Sequence, residues 1–190
     1  MIDFSLGLSH WHAPTNCTTW YQCGMPYSDR RDVPTFRLGA TYGKWHFGAV
    51  HLGDTRVDAT ATDDTRYAQG FRGCAKDALC AHFQGRGRSY GLFATYDVAQ
   101  YRGFSLEAGT AYLRTSWAEK WSDTFPVSTG FSGSAAAART HFVPVFGVRY
   151  EFGPTFSVST STFFHVDTGG KQLPQYPSGT VTTLDFTFSF

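Results

Sequence analysis

Along most of this chain the apolar side chains return at every second position. Alternation of that kind places apolar residues on one face of an extended strand and polar residues on the other. The first run, "IDFSLGLSHW", sets Phe4, Leu6 and Leu8 against Asp3, Ser5, Gly7 and Ser9. "TFRLGATYG" sets Phe36, Leu38, Ala40 and Tyr42 against Arg37, Gly39 and Thr41. "WHFGAVHLG" is less regular. Trp45, Phe47 and Ala49 suggest one register and Val50 and Leu52 the other, so a bulge is expected there and its faces stay open. "SYGLFATYDV", "FSLEAGTAYLR", "HFVPVFGVRYEF", "TFSVSTSTFFHV" and the terminal "TVTTLDFTFSF" complete the set.

Eight runs of about 9–11 residues match the length a tilted strand needs to cross a bilayer. Short turns are expected near 43–44, 97–103 and 153–154, and long loops at about 13–34, 54–88, 115–140 and 167–179. The long loops then share one end of an up-and-down meander. The expected fold is all-β: a single domain over 1–190, forming an eight-stranded antiparallel barrel with four long loops at one end and short turns at the other. "GCAKDALCAHF" could form a helical turn inside the second loop.

Period alone does not say which face is outside, because soluble and membrane barrels share it. Here composition decides. Only 16% of residues are charged and 17% are aromatic, against roughly 25% charged in soluble domains. Large aromatics sit at strand ends, as in interfacial girdles. The polar faces carry Arg37, Glu107, Arg149, Glu151 and Asp185 among Ser, Thr and Gly. In a narrow lumen such charges are expected to pair into a plugging network. A last strand ending on Phe186, Phe188 and Phe190 needs no cover if its apolar face meets lipid and both edges pair. The net charge of +1 gives no reason to expect nucleic acid. The chain opens directly into alternation, so Met1 is expected to stand where an export signal was removed.

The terminal "DFTFSF" and the hairpin "VPVFGVRYEFGPTFSVS" resemble the small eight-stranded outer-membrane barrels of Gram-negative bacteria, the class of the OmpA transmembrane domain, OmpX and the opacity proteins. The resemblance covers the whole chain as architecture. It implies a monomer in the bacterial outer membrane with long loops extracellular. Its neighbours would be membrane lipid and lipopolysaccharide. Phe186, Phe188 and Phe190 would be the signal read by the envelope barrel-assembly machinery. No wall-binding domain is expected after Phe190, so the resemblance implies no anchoring role. The terminal signal is common to outer-membrane barrels generally, so it marks the class rather than the member.

Cys17, Cys23, Cys74 and Cys80 form two C-x5-C pairs, each within one long loop. Four cysteines allow three connectivities. Local disulfides, Cys17–Cys23 and Cys74–Cys80, suit an oxidising envelope. The rival, a zinc site with His10, His12 or His82, has an unusual ligand spacing, and no metal or other cofactor is expected. Arg86 and Arg88 are candidates for lipopolysaccharide phosphates, because an arginine fork suits a phosphate. Trp20, Tyr21 and Tyr27 are candidates for a partner surface. Trp117 and Trp121 in the third loop could cover apolar loop contacts.

Two outer-membrane barrel families act on lipid A acyl chains, which makes the histidines candidates for catalysis. Ser9 and His10 are adjacent on a strand and point to opposite faces, whereas a nucleophile and its base must be within hydrogen-bond reach. His12, His165 and Asp167 complete no nucleophilic set, and the deacylase's His-x-Ser-Asn pattern is absent. No catalytic residue is assigned and no enzymatic activity is expected. The expected role is structural or surface interaction, such as adhesion or ligand recognition. A lipid A-modifying enzyme or a narrow pore are the alternatives.

Overall fold

The computed structural model describes residues 1–12, 27–30, 32–62, 79–122, 132–166 and 179–190. Nine strands are present among them: β1 (Ile2–His12), β2 (Tyr27–Arg30), β3 (Asp32–Tyr42), β4 (Trp45–Thr62), β5 (Leu79–Tyr101), β6 (Phe104–Ser122), β7 (Ser132–Glu151), β8 (Phe156–Val166) and β9 (Gly179–Ser189). Eight of them close into an all-antiparallel barrel. The order is β1, β3, β4, β5, β6, β7, β8, β9 and back to β1. The final residue takes part in closure: the Ile2 N–H donates to the Phe190 carbonyl and the Phe190 N–H to that of Ile2, at 3.0 and 2.9 Å. Every barrel strand therefore has two partners and no edge is left at the seam.

The alternation sorts as a membrane barrel's would. Leu38, Leu92 and Phe142 face outward at 57, 63 and 70% exposure, with Phe4, Leu6, Leu8, Phe36, Leu184 and Phe186 on the same surface. Each such side chain left in water would forgo roughly 1.5–3 kcal/mol of burial. A lipid environment removes that cost and leaves no backbone group unpaired. Aromatic pairs gather at the short-turn end. Phe104, Tyr150, Phe152, Phe156 and Phe188 follow one another with ring centroids 4.5–5.6 Å apart. Trp45 meets Tyr96 at 4.9 Å. Tyr112 and Phe142, 4.7 Å apart, lie toward the other end. No helix among the described residues is long and apolar enough to cross a membrane; the crossing elements are strands.

The lumen is divided. Toward the long connections it is an apolar plug of Trp11, Val33, Leu52, Leu113, Val143, Phe163, Val166 and Val181. Toward the short turns it is polar and charged. The expectation of a polar interior thus holds for only one half. Valine and leucine serve inside here as aromatics serve outside.

Three expectations need correction. Strand length is not uniform: β4, β5, β6 and β7 have 18, 23, 19 and 20 residues. Much of the stretch expected as loop at 54–88 and 115–140 is ladder. Trp45, Phe47 and Ala49 do face outward, with His46, Val50 and Leu52 buried. The bulge expected in this run is present, between His51 and Asp54, at Gly53 with φ 87°. That backbone suits glycine, and a Cβ there would also lie 2.3 Å from Val33 Cγ2. The turn expected at 97–103 is confined to Arg102–Gly103, because β5 continues through a bulge after Asp97. The residues from 79 onward in "GCAKDALCAHF" are strand; those before lie outside the described residues.

The extra length lies on one side of the barrel. β7 pairs with β8 only from Val145 to Glu151, whereas it pairs with β6 up to Ser132. β2 lies against β4 from Ala59 to Arg56. Strands β2, β4, β5, β6 and β7 thus form a sheet standing beyond the barrel, roughly 30 Å along β7 from Ser132 to His141 at about 3.3 Å per residue.

Candidate functional site

Two places concentrate charge: the short-turn half of the lumen and the outer face of the extended sheet. In the lumen Arg149 sits at the centre. Its Nη2 donates to both carboxylate oxygens of Asp97, at 3.1 and 3.0 Å. Its Nε lies 3.5 Å from Glu107 and 3.4 Å from Glu151. The fork also faces the His46 ring nitrogens at 3.0 and 2.8 Å. Neighbours fix the acids: Thr95 donates to Glu107 at 3.1 Å and Gln100 to Asp97 at 2.8 Å. Charges stripped of water need such partners.

Higher in the barrel Arg37 and Asp185 form a second unit. Nη2 of Arg37 lies 2.7 Å from Asp185 Oδ2 and donates to Thr183 Oγ1 at 2.6 Å. The Thr183 hydroxyl donates onward to Asp185. Arg37 Nη1 reaches Ser161 at 3.3 Å, and the guanidinium lies between the Phe93 and Phe163 rings, 5.7 and 5.4 Å from their centroids. The room comes from Gly7 opposite Asp185, where a Cβ would fall 2.6 Å from Oδ1. Arg37 Nε and Asp185 Oδ1 make no hydrogen bond. The five charges read on polar faces therefore fall into two groups. Arg149, Glu107 and Glu151 form one; Arg37 and Asp185 form the other.

His46 and Asp97 were missed. Asp97 looked like the start of a turn, and His46 lay in the run whose faces stayed open. Donor atoms of His46, Asp97 and Glu107 lie within 4.8 Å of one another, an arrangement that could hold a metal. The Arg149 fork stands among those atoms and already supplies the cation, so the set fits a guanidinium better than a metal ion.

On the extended sheet, three consecutive rows of residues line a cavity of about 550 Å³. Asp54, Arg88, Ser116 and Ala138 lie in one row, and Arg56, Arg86, Ala118 and Ala136 in another. In β4 and β5 the row between holds Thr55 and Gly87, both buried, so the Arg56, Arg86 and Arg88 side chains are on the outer face. Arg88 is engaged: Nε and Nη2 donate to the two oxygens of Asp54 at 2.9 and 3.0 Å. The hydrogen bond from Arg88 holds the Asp54 carboxyl below its ordinary value, while Asp54 raises that of Arg88. Arg56 and Arg86 are directly opposite each other, both exposed.

The other candidates are placed as follows. Cys17, Cys23, Cys74, Trp20 and Tyr21 lie outside the described residues. Cys80 and Tyr27 fall in β5 and β2 by their backbone. Trp121 is likewise in β6, while the Trp117 side chain is buried in the sheet rather than lying on a loop. Phe186, Phe188 and Phe190 face outward. Ser9 is buried and donates to the Leu52 carbonyl at 2.6 Å, while exposed His10 pairs with Asp32 at 2.6 Å, so the two point apart. The His165 carbonyl accepts from His141. Asp167 lies outside the described residues, and of His12 only the backbone is described.

No protein-family model matches the sequence, and no curated protein sequence does. Solved structures do resemble it in shape. The attachment invasion locus protein Ail of Yersinia pestis, in complex with the heparin analogue sucrose octasulfate, aligns at 12% identity over 98% of this chain and 96% of its own, with a TM-score of 0.50. The fold is that of a small eight-stranded outer-membrane barrel. A second Ail structure aligns at 10% identity, TM-score 0.48, covering 98% of this chain and 94% of that one. Neisserial surface protein A aligns at 11%, TM-score 0.42, covering 100% and 97%. At these identities the likeness concerns the fold.

Proposed function

We propose that this chain is an outer-membrane surface-recognition barrel, without enzymatic activity, that presents the extended sheet to the cell exterior. The observation carrying the reading is the one-sided continuation of β4–β7 beyond the barrel. Residues 132–144 of β7 pair with β6 on one side, and among the described residues no strand pairs with them on the other. An open strand edge is a template for an added strand. Small residues at Ala136, Ala137 and Ala138 let another backbone approach closely. The aligned Ail, an attachment invasion locus protein, agrees with a surface role. Kinship with the OmpA, OmpX and opacity class belongs to this reading, on the strength of the terminal run and the penultimate hairpin. So do monomeric state, disulfide-stapled loops with Trp20, Tyr21 and Tyr27 as partner contacts, and recognition of Phe186, Phe188 and Phe190 by the assembly machinery. A filled lumen argues against a pore.

The test uses Ala136→Pro and Ala137→Pro. Of two successive N–H groups in a strand, one faces each neighbour, so one proline removes a group on the open edge only. That variant should reach the outer membrane in its heat-modifiable folded form, yet adhere less than wild type when expressing cells are layered on epithelial monolayers. Wild-type adhesion no greater than that of cells without the protein, or unchanged by the tolerated proline, would overturn the reading.

A further inference from the structure

Arg56 and Arg86 face each other across β4 and β5, on the outer surface of the extended sheet. Directly opposite residues of an antiparallel pair have Cβ atoms about 4.5–5.5 Å apart, and like charges there are destabilising. The backbone register adds a third arginine: Arg30 of β2 is opposite Arg56. Among the described side chains the acid on this face is Asp54, bound by both oxygens to Arg88 in the neighbouring row. Among the described residues no carboxylate pairs with Arg56 or Arg86. Two facing guanidinium groups that no described acid pairs with are relieved by an oxyanion, which two arginine forks can hold together.

The surroundings say what else the ligand carries. Beside the two arginines the floor is low: Ala118 and Ala136 continue their row, and Ser116 and Ala138 the next. That shelf leaves the cavity of about 550 Å³ open for a bulky body next to the anion. Arg86 is four residues along β5 from Tyr90, which lies on the same outward face. At about 3.3 Å per residue and a strand tilt near 40°, the arginine pair stands roughly 10 Å above that ring. The lipid-facing surface continues below it through Leu92. A group bound here is therefore beside the headgroups of the leaflet the barrel crosses.

We infer that Arg56 and Arg86 form an oxyanion clamp for the phosphate of an outer-leaflet glycolipid, whose sugar body lies on the alanine shelf. Arg88, taken up by Asp54, shapes the wall of the site instead of binding the phosphate. This differs from the sequence expectation, which paired Arg86 with Arg88 and had no reason to include Arg56. The inference uses the outer-membrane placement to name the source of the phosphate, and it does not depend on the β7 edge or on adhesion.

The test is done on purified full-length barrel in maltoside micelles, titrated with diphosphoryl lipid A and read by the shift in melting temperature. Wild type should show a saturable rise. Arg56→Gln and Arg86→Gln should each weaken the apparent affinity about 10-fold, with each variant melting no lower than wild type when lipid A is absent, since a repulsion has been removed. Dephosphorylated lipid A should give no shift at the same concentrations. Equal shifts from the dephosphorylated lipid, or an undiminished response in the double variant, would overturn the clamp. Saturation by inorganic phosphate at concentrations as low as those of lipid A would overturn the glycolipid assignment.

Discussion

Two of the arginine–aspartate pairs among the described residues, similar in length, lie in opposite surroundings. In the lumen Arg37 and Asp185 are 2.7 Å apart with side chains 9 and 1% exposed. On the extended sheet Arg88 and Asp54 are 2.9 Å apart and 58 and 48% exposed. The outer pair has the better geometry, two parallel hydrogen bonds. The inner one leaves Arg37 Nε and Asp185 Oδ1 without a hydrogen bond. Fit alone would rank the outer pair first. Surroundings reverse the order, because water and salt screen exposed charges, while a charge deprived of its partner inside the barrel has nothing to replace it. The lumen pair therefore holds the barrel, and the outer pair mainly arranges a surface.

The largest test of that contrast is Asp185→Ala. It leaves Arg37 buried between Phe93 and Phe163 without its counter-charge and removes the acceptor of the Thr183 hydroxyl. Urea unfolding in lipid should show a loss of about 3–5 kcal/mol. A loss below about 1 kcal/mol would mean that the lumen is solvated enough to treat Arg37 as a surface residue.

The smallest effect concerns acid at the outer pair. The Asp54 carboxyl is held below its ordinary value of 3.8, first by the hydrogen bond from Arg88. A carboxyl lowered on folding adds stability that is fully present above its unfolded value and is lost as pH falls through the folded one. The contribution of Asp54 should therefore be constant at neutral pH and disappear only below about 3.8. Asp54→Asn should leave unfolding at pH 7 nearly unchanged and flatten the dependence below pH 4. A clear loss at neutral pH would show the exposed pair to be structural.

The barrel was legible wherever lipid and lumen give the two faces different chemistry. Phe4 against Ser5, Leu38 against Arg37 and Phe186 against Asp185 each reveal both face and register. Legibility fails where both faces are alike. At Val50 and Leu52 the inside is apolar too, so period alone could not assign "WHFGAVHLG". Beyond the membrane neither face meets lipid, and "QGRGR" and "SAAAAR" show no apolar stripe. From sequence alone the extension of β5 and β7 therefore resembles a loop. Asp97 was lost because the bulge that follows it makes its run look like a turn. The Arg56–Arg86 juxtaposition depends on the register across β4 and β5, which Gly53 shifts, and no local pattern encodes it.

The comparison rests on coupling between charges, and a pair of double-mutant cycles measures it most directly. Arg37→Met and Asp185→Leu, alone and together, are compared with Arg88→Met and Asp54→Leu by reversible unfolding in the same lipid. The lumen cycle should return a coupling of about 2–3 kcal/mol, with the double variant more stable than either single one. The outer cycle should return a small fraction of that. Couplings of equal size, or additive effects in the lumen, would contradict the claim that burial makes Arg37 and Asp185 a single structural unit.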